Sequence, residues 1–294
     1  MAPLSIKRLM NSAISIRVLA VALLIGTECV FAAPGVPLAS AKKDVEATAQ
    51  ITSESPKIVF WQRLDSVQAL SKNVGLPELD QLDAFLRAEG GWGGMRPHQI
   101  WALKDELMNA LQDQAAPSPE FERVLLDILQ NERQDAVMRD YAVQHIRAWY
   151  PQSTSKPQLL ATLWAAARGG DGSLPGTAFL SLWGIWQQFP ADVNRKELGR
   201  GALAVAIDPE ADIDARISCL QLCGKLGVVE ALPFAVEVAE AGKPAMLRMA
   251  AIATVGDLGN RSHAPMLKAI KTEAVDQGTL EAVKAALKKT GNKS

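Results

Sequence analysis

The chain has 294 residues, of which 31 are basic and 32 are acidic, so its formal net charge is −1. This balance offers no basic surface for nucleic acid, and we expect no nucleic-acid partner. Hydrophobic residues make up 48% of the chain but aromatic residues only 5%, and helix-forming residues recur throughout. Long alternating β-branched runs are missing from the sequence, so the composition predicts an all-α protein with a substantial core.

Residues 1–32 are predicted to be a secretory signal peptide. Basic residues including Arg8 and Arg17 precede the apolar run 18–25, and Ala32 offers a small residue before a cleavage point. The run is shorter than the ~20 residues of a membrane-spanning helix, so we expect no stable membrane span after cleavage. A retained anchor is the alternative. Cleavage would leave 28 basic and 31 acidic residues in a periplasmic or secreted protein.

The next two segments differ in composition. Residues 33–56 are polar and small, and they predict a flexible leader. Residues 57–114 predict three leading helices, or an N-terminal cap, with starts marked by Pro56, Pro77 and Pro97. The first of these helices is expected to have an apolar face formed by Ile58, Trp61, Leu64, Val67 and Leu70.

The remaining chain, residues 119–294, has an internal period. Four of its longer predicted helices align at Arg139, Ala178, Arg216 and Arg248, at intervals of 39, 38 and 32 residues. In each helix a small residue follows the anchor three positions later, and an aliphatic residue comes next. Two of the units close with "CGKLG" and "VGDLG".

These features resemble the HEAT-type helical repeat, in a secreted bacterial form. The resemblance implies an α-solenoid of stacked antiparallel helix pairs, in which neighbouring pairs bury a continuous core. It also implies inter-repeat contacts for Arg216 and Arg248. The polar ending "EAVKAALKKTGNKS" fits a C-terminal cap of such a solenoid.

Catalytic and metal motifs are missing from the sequence. G-x-S-x-G, H-E-x-x-H and paired C-x-x-C do not occur, and the histidines number three. The glycine-rich "GGWGGMRPHQ" lacks the spacing of a phosphate loop and is interpreted as a turn between helices. Cys219 and Cys223 are expected to be buried free thiols, with a disulfide or a metal pair as alternatives. We therefore expect no catalytic residue, no cofactor and no metal.

The candidate site lies on two of the aligned helices. In "MRDYAVQHIRAWYP", His145 shares a stripe with apolar residues and is expected to face neighbouring helices, whereas three polar residues form another stripe. The equivalent positions of "TAFLSLWGIWQQFP" carry aromatic side chains, which would form either an interaction patch or additional core. The predicted partner-binding residues are Asp140, Gln144, Arg147, Phe179, Trp183 and Trp186.

From architecture and resemblance we expect a non-enzymatic scaffold that binds a protein partner. Binding of carbohydrate or cell wall through exposed tryptophans is the first alternative. A lyase-type enzyme is the second, because some HEAT-like proteins are lyases that act on pigment-binding proteins. The enzyme hypothesis predicts that His98 or His145 is accessible to solvent beside an acidic group.

Overall fold

The computed structural model describes residues 38–116, 118–242, 244–273 and 276–291. The predicted signal peptide at 1–32 lies outside these residues. Within the described ranges every regular element is helical, as the composition predicts. None of these helices is long and apolar enough to cross a membrane. The helices are α1 Leu38–Ile51, α2 Phe60–Ala69, α3 Leu76–Arg87, α4 Pro97–Gln112, α5 Pro119–Gln130, α6 Ala136–Trp149, α7 Lys156–Gly169, α8 Leu174–Gln188, α9 Arg195–Ile207, α10 Ile213–Leu226, α11 Leu232–Ala241, α12 Ala245–Leu258, α13 Ala264–Glu273 and α14 Gln277–Gly291.

The helices form an α-solenoid of stacked antiparallel pairs. Successive helices such as α5 and α6, or α9 and α10, pack against each other across short turns. The second helix of each pair also packs on the second helix of the next, so α2, α4, α6, α8, α10, α12 and α14 form one continuous stack. We call this stack the second-helix row. Its shared core of buried apolar side chains extends from Ile51 to Ala286.

A recurrent arginine joins the two helices of a pair. The Nε atoms of Arg139, Arg216 and Arg248 donate to Leu129 O (3.2 Å), Ala206 O (3.3 Å) and Ala239 O (2.8 Å), respectively. Each acceptor is in the last turn of the preceding helix, where carbonyl groups have no partner within that helix. A cation there also faces the negative end of the helix dipole. The repeated arginine thus caps the first helix of its own pair.

Arg63 on α2 occupies the same place in the first pair. Its side chain is fully buried and donates to Gln50 O, Ile51 O and Ser53 O, at 3.1, 3.0 and 2.5 Å. It also donates to the carbonyls of Ser55 and Ile58. The spacing to a small and then an aliphatic residue is kept in "RLDSV". The α1–α2 pair therefore has the same arginine cap as the later pairs, a match that the alignment starting at Arg139 did not include.

The α3–α4 and α7–α8 pairs depart from this pattern. Lys104 is 2% exposed and donates to Leu86 O at 3.1 Å and Ala88 O at 2.5 Å, so a lysine one turn further along α4 caps α3. Burial lowers the pKa of its ammonium to about 8. In α8 the aligned position is Ala178, which has no such group to offer.

The structure differs from the flexible leader predicted at 33–56, since Leu38–Ile51 is the helix α1. Ala47 and Ile51 are buried against the following helices. The carboxylate of Asp44 accepts from Ser71 N at 2.8 Å and Ser71 Oγ at 2.6 Å. Ile51, the small residue Ala47 and one buried carboxylate thus hold α1 in place.

Candidate functional site

A groove on the second-helix row brings together part of the predicted site. It lies between the C-terminal ends of α6 and α8 and has a volume of about 310 Å³. We call it the α6–α8 groove. Its lining residues are Gln144, Arg147, Ala148, Pro151 and Gln188. Two of the six predicted residues, Gln144 and Arg147, are exposed here, as the helical stripe predicted.

Arg147 lies directly over α8. A Cβ atom at Gly184 would overlap its guanidinium and the adjoining methylene, so only glycine lets the side chain rest on the α8 backbone. Among the residues that the structure describes, Arg147 has no hydrogen-bond or ion-pair partner. An exposed guanidinium in this position has five N–H donors available for a carboxylate or another anion.

The two predicted tryptophans are half-buried rather than fully exposed. Trp183 precedes Gly184 on α8 and packs against the core with part of its ring. Trp186 lies 5.5 Å from the guanidinium of Arg195, a cation–π distance. Both indoles therefore keep a partly accessible apolar surface, but neither lines the α6–α8 groove, and Trp186 lies beside Arg195 at the start of α9.

The prediction is wrong for Phe179, which is 1% exposed and belongs to the core. Its ring packs edge-on against Trp164 at a centroid distance of 6.1 Å and lies over the backbone of Gly201, where a Cβ would approach Phe179 Cζ to 2.6 Å. Because α8 is apolar on every side, its sequence does not indicate which of its side chains will pack over a glycine of a neighbouring helix. Phe179 thus fills the interface between α8 and its neighbours, away from any partner.

Asp140 also faces inward. Its Oδ2 accepts from Ser173 Oγ at 2.5 Å, which ties α6 to the start of α8 in the next pair. Its Oδ1 is buried and has no hydrogen-bond partner among the described residues. Asp140 is therefore a contact between repeats, and the exposed polar stripe of α6 is reduced to Gln144 and Arg147.

His145 bridges two repeats, as its place on the apolar stripe predicted. It is 6% exposed, with Nε2 2.9 Å from Asp105 Oδ1 and Nδ1 3.0 Å from Gln112 Oε1. Both partners are on α4. His98 is exposed at the start of α4, and no carboxylate lies within bonding distance of it in the described part of the chain. Neither histidine has the accessible, acid-paired position that the enzyme hypothesis predicts.

The aromatic residues at the end of α6 also hydrogen-bond to neighbouring elements, one within the α5–α6 pair and one beyond it. Trp149 Nε1 donates to Glu122 Oε2 at 2.9 Å, and the Tyr150 hydroxyl donates to Asp192 Oδ2 at 2.8 Å. Burial, and then the carboxylate of Asp192, raise the pKa of Tyr150. The polar and aromatic residues of "MRDYAVQHIRAWYP" thus mostly join α6 to its neighbours, and Gln144 and Arg147 remain at the surface.

An exposed tryptophan that the apolar periodicity placed on one face with Val67 and Leu70 lies at the other end of the second-helix row. Trp61 on α2 is 67% exposed, with the ring of Phe60 4.9 Å away in an edge-on arrangement. The apolar periodicity assigned Trp61 to the buried face, but Arg63 occupies that face instead. The signal that could have found this was the arginine pattern of the repeats, which places Arg63 inward.

The two cysteines are buried free thiols, as expected. Both Cys219 and Cys223 are fully buried. Burial raises the pKa of both thiols, that of Cys223 to about 12, so neither forms a reactive thiolate at neutral pH. In the described ranges, no group of three His, Cys, Asp or Glu side chains is placed to hold a metal ion.

Comparison with known proteins gives little to set beside this geometry. No family model matches the sequence, and no curated protein matches it. Among solved structures, the chain is similar to human deoxyhypusine hydroxylase in complex with glycerol, with 16% sequence identity and a TM-score of 0.39. The match covers 87% of this chain and 99% of that one.

Proposed function

We propose that the chain is a HEAT-like scaffold that binds a protein partner without catalysing a reaction, and that the partner docks on the second-helix row at the α6–α8 groove. The observation that carries this proposal is Arg147, an exposed guanidinium held over Gly184 without an ion-pair partner in the described chain. Arg139, one turn from the start of the helix that carries Arg147, is by contrast paired with Asp171 at 2.8 Å.

The groove favours a negatively charged side chain of the partner. The Arg147 guanidinium can bind a carboxylate through two parallel hydrogen bonds, and the amides of Gln144 and Gln188 can donate from the two walls. Trp183, the residue before Gly184 on α8, adds a half-buried apolar surface outside the groove lining. Arginine and tryptophan together dominate many protein interfaces. The volume of about 310 Å³ suits one or two side chains.

The place of action is part of the proposal. The basic residues before the apolar run 18–25, and the small residues around Ala32, support export to the periplasm or the cell exterior. A scaffold in that location would meet its partner in the envelope or outside the cell.

The experiment is capture from the native envelope fraction with the full chain immobilised. Three variants are compared with it: Arg147→Glu, Trp183→Ala and Gly184→Ala. The last keeps the charge and raises helix propensity, but its Cβ displaces the guanidinium from the α8 backbone. Lys57→Glu, at an exposed lysine outside the groove, makes the same charge change as a control.

We expect one protein to be retained by the wild type and by Lys57→Glu. Binding of that purified protein should weaken at least about tenfold in Arg147→Glu, and to a smaller extent in Gly184→Ala. Equal retention by Arg147→Glu would remove the groove from the proposal. If the wild type retains no protein, the scaffold function itself loses its support.

Carbohydrate binding is the second candidate, and Trp61 is the observation that favours it. A tryptophan that is 67% exposed beside Phe60 offers a flat apolar platform on which a sugar ring could stack. Quenching of tryptophan fluorescence by cell-wall glycans, abolished in Trp61→Ala but kept in Trp183→Ala, would support this function. Unchanged fluorescence across a glycan series would reject it.

A further inference from the structure

A larger groove lies on the side of the solenoid formed by the first helices. It runs along α9 as far as Leu203 and along the turn that leads from α10 to α11, with a volume of about 760 Å³. We call it the α9 groove. Its apolar surface comes from Leu203, Leu226 and Val228. A Cβ atom at Gly199 would be 2.8 Å from Val228 Cγ2, so this glycine lets α9 approach the turn closely.

The wall of the α9 groove is cationic. Arg195, Lys196 and Arg200 follow one another along α9, and Glu230 is the acidic residue opposite them. Arg195 is engaged, since its Nη2 donates to Leu226 O at 2.6 Å. The side chains of Lys196 and Arg200 are exposed and make no ion pair within the described ranges. The groove thus combines an apolar base with two unpaired cations.

The complementary surface is on the same chain, at the other end of α9. The turn 207–214, "IDPEADID", carries four carboxylates and two isoleucines, Ile207 and Ile213, that are 46% and 37% exposed. We call it the acidic turn. Its shape is fixed by its own hydrogen bonds, because Asp208 Oδ1 accepts from Glu210 N at 2.9 Å and Asp212 Oδ1 accepts from Asp214 N at 2.8 Å.

A single chain cannot bring these two surfaces together. The α9 groove is lined along α9 as far as Leu203 and the acidic turn begins at Ile207, the last residue of the same helix, so the rigid helix keeps the turn out of the groove of its own chain. Because the groove is positive with an apolar base and the turn is negative with exposed isoleucines, each surface supplies what the other lacks. We propose that the acidic turn of one copy docks in the α9 groove of a second copy.

The contact is head-to-tail, because the two surfaces are different. Copies would follow one another roughly along the direction of α9, and they would form a ring if the rotation closes or an open chain if it does not. This self-association uses neither the α6–α8 groove nor Trp61, so each copy in the assembly would keep its partner-binding surface free. The proposal is therefore independent of the scaffold function.

The test is sedimentation velocity of the full chain over a hundredfold range of concentration, at low and at high salt. A groove variant, Lys196→Glu with Arg200→Glu, and a turn variant, Glu210→Lys with Asp214→Lys, reverse the charge of one surface each. A control, Lys268→Glu with Lys271→Glu, makes the charge change of the groove variant on exposed lysines of α13. Circular dichroism and thermal unfolding establish that every variant is folded.

We expect the wild type and the control to associate at low salt and to dissociate at high salt, since exposed charges are then screened. The groove variant and the turn variant should each associate at least about tenfold more weakly, because like charges would then meet. An equimolar mixture of the two should associate again. The proposal is overturned if the wild type stays monomeric at low salt, if neither reversal weakens association, or if the mixture remains monomeric.

Discussion

Asp83 on α3 has a buried carboxyl group, and burial disfavours its ionised form. It is 3% exposed, and burial raises its pKa to about 6, while the charge of Arg87 works against the rise and that of Glu120 adds to it. The Asp83 carboxyl makes its full contribution to the stability of the fold below its unfolded pKa of 3.8. That contribution is lost as the pH rises through about 6, because the ionised form is disfavoured in the buried position. At neutral pH the ionised Asp83 therefore destabilises the fold.

Replacing this carboxyl by an amide should stabilise the protein. Asp83→Asn is expected to raise the free energy of unfolding by up to about 3 kcal/mol near pH 7.5, and by under about 1 kcal/mol near pH 4. Urea unfolding at the two pH values measures the difference. Asp80→Asn, at an exposed carboxylate of the same helix, should have a small effect at both. A loss of stability in Asp83→Asn at neutral pH would contradict this account of the site.

At the scale of a helix pair, Arg63 is the side chain on which the first repeat depends. It has five backbone carbonyl partners between residues 50 and 58, whereas one such bond joins Arg248 to its pair. Burial lowers the pKa of Arg63, but a guanidinium stays charged, so it requires those carbonyls. Of these carbonyls, that of Ser55 also accepts from Ile58 N at 3.2 Å.

Arg63→Met should therefore cost more than Arg248→Met. We expect a loss of about 3–5 kcal/mol for the first and about 1–2 kcal/mol for the second, since a hydrogen bond to a charged group contributes about 1.5–3 kcal/mol and the bonds share one side chain. Arg63→Lys should recover part of the loss, because an ammonium has three donors. Chemical unfolding of the three variants is the measurement. Equal losses for the two Met variants would show that the stabilisation does not depend on how many carbonyls the arginine binds.

The arginine pattern also shows how far the sequence could predict the fold. "RLDSV", "RDYAV", "RISCL" and "RMAAI" have the same spacing, so the first repeat was accessible to the alignment that found the later ones. The exposure of Trp61 follows from the same pattern, which puts Arg63 inward, but it could not be predicted from apolar periodicity. Helical periodicity ranks side chains by apolarity alone, and it cannot anticipate that carbonyls from residues 50 to 58 make a buried arginine favourable on the opposite face.

The candidate site was predictable to a similar extent. Polar residues on a helical stripe predicted that Gln144 and Arg147 are exposed, which is correct. Phe179 and Asp140 were assigned to the same surface but are used between repeats, because glycine at 201 and serine at 173 are placed to receive them. Such pairings join residues more than twenty positions apart, and a single sequence carries no signal for them.

At the scale of the whole solenoid, each pair contacts mainly its neighbours, so a local loss should stay local. Asp257 on α12 provides the test, since its carboxylate is 3.5 Å from Lys225 Nζ on α10 and 2.5 Å from Lys289 Nζ on α14. Its side chain is only 18% exposed, so these ion pairs are partly shielded from solvent. Both are lost together in Asp257→Asn.

This variant should loosen the C-terminal repeats and leave the N-terminal ones unchanged. We expect a loss of about 1 kcal/mol, seen as faster backbone hydrogen exchange in α12 and α14 with no change in α1–α4. Glu281→Gln, which breaks a pair with Lys284 inside α14 alone, is the control and should leave exchange in α12 unaffected. Equal acceleration in α2 and α4 would show that the chain opens as one cooperative unit. Each helix pair would then contact mainly its neighbours, but the stability of one pair would depend on the whole solenoid.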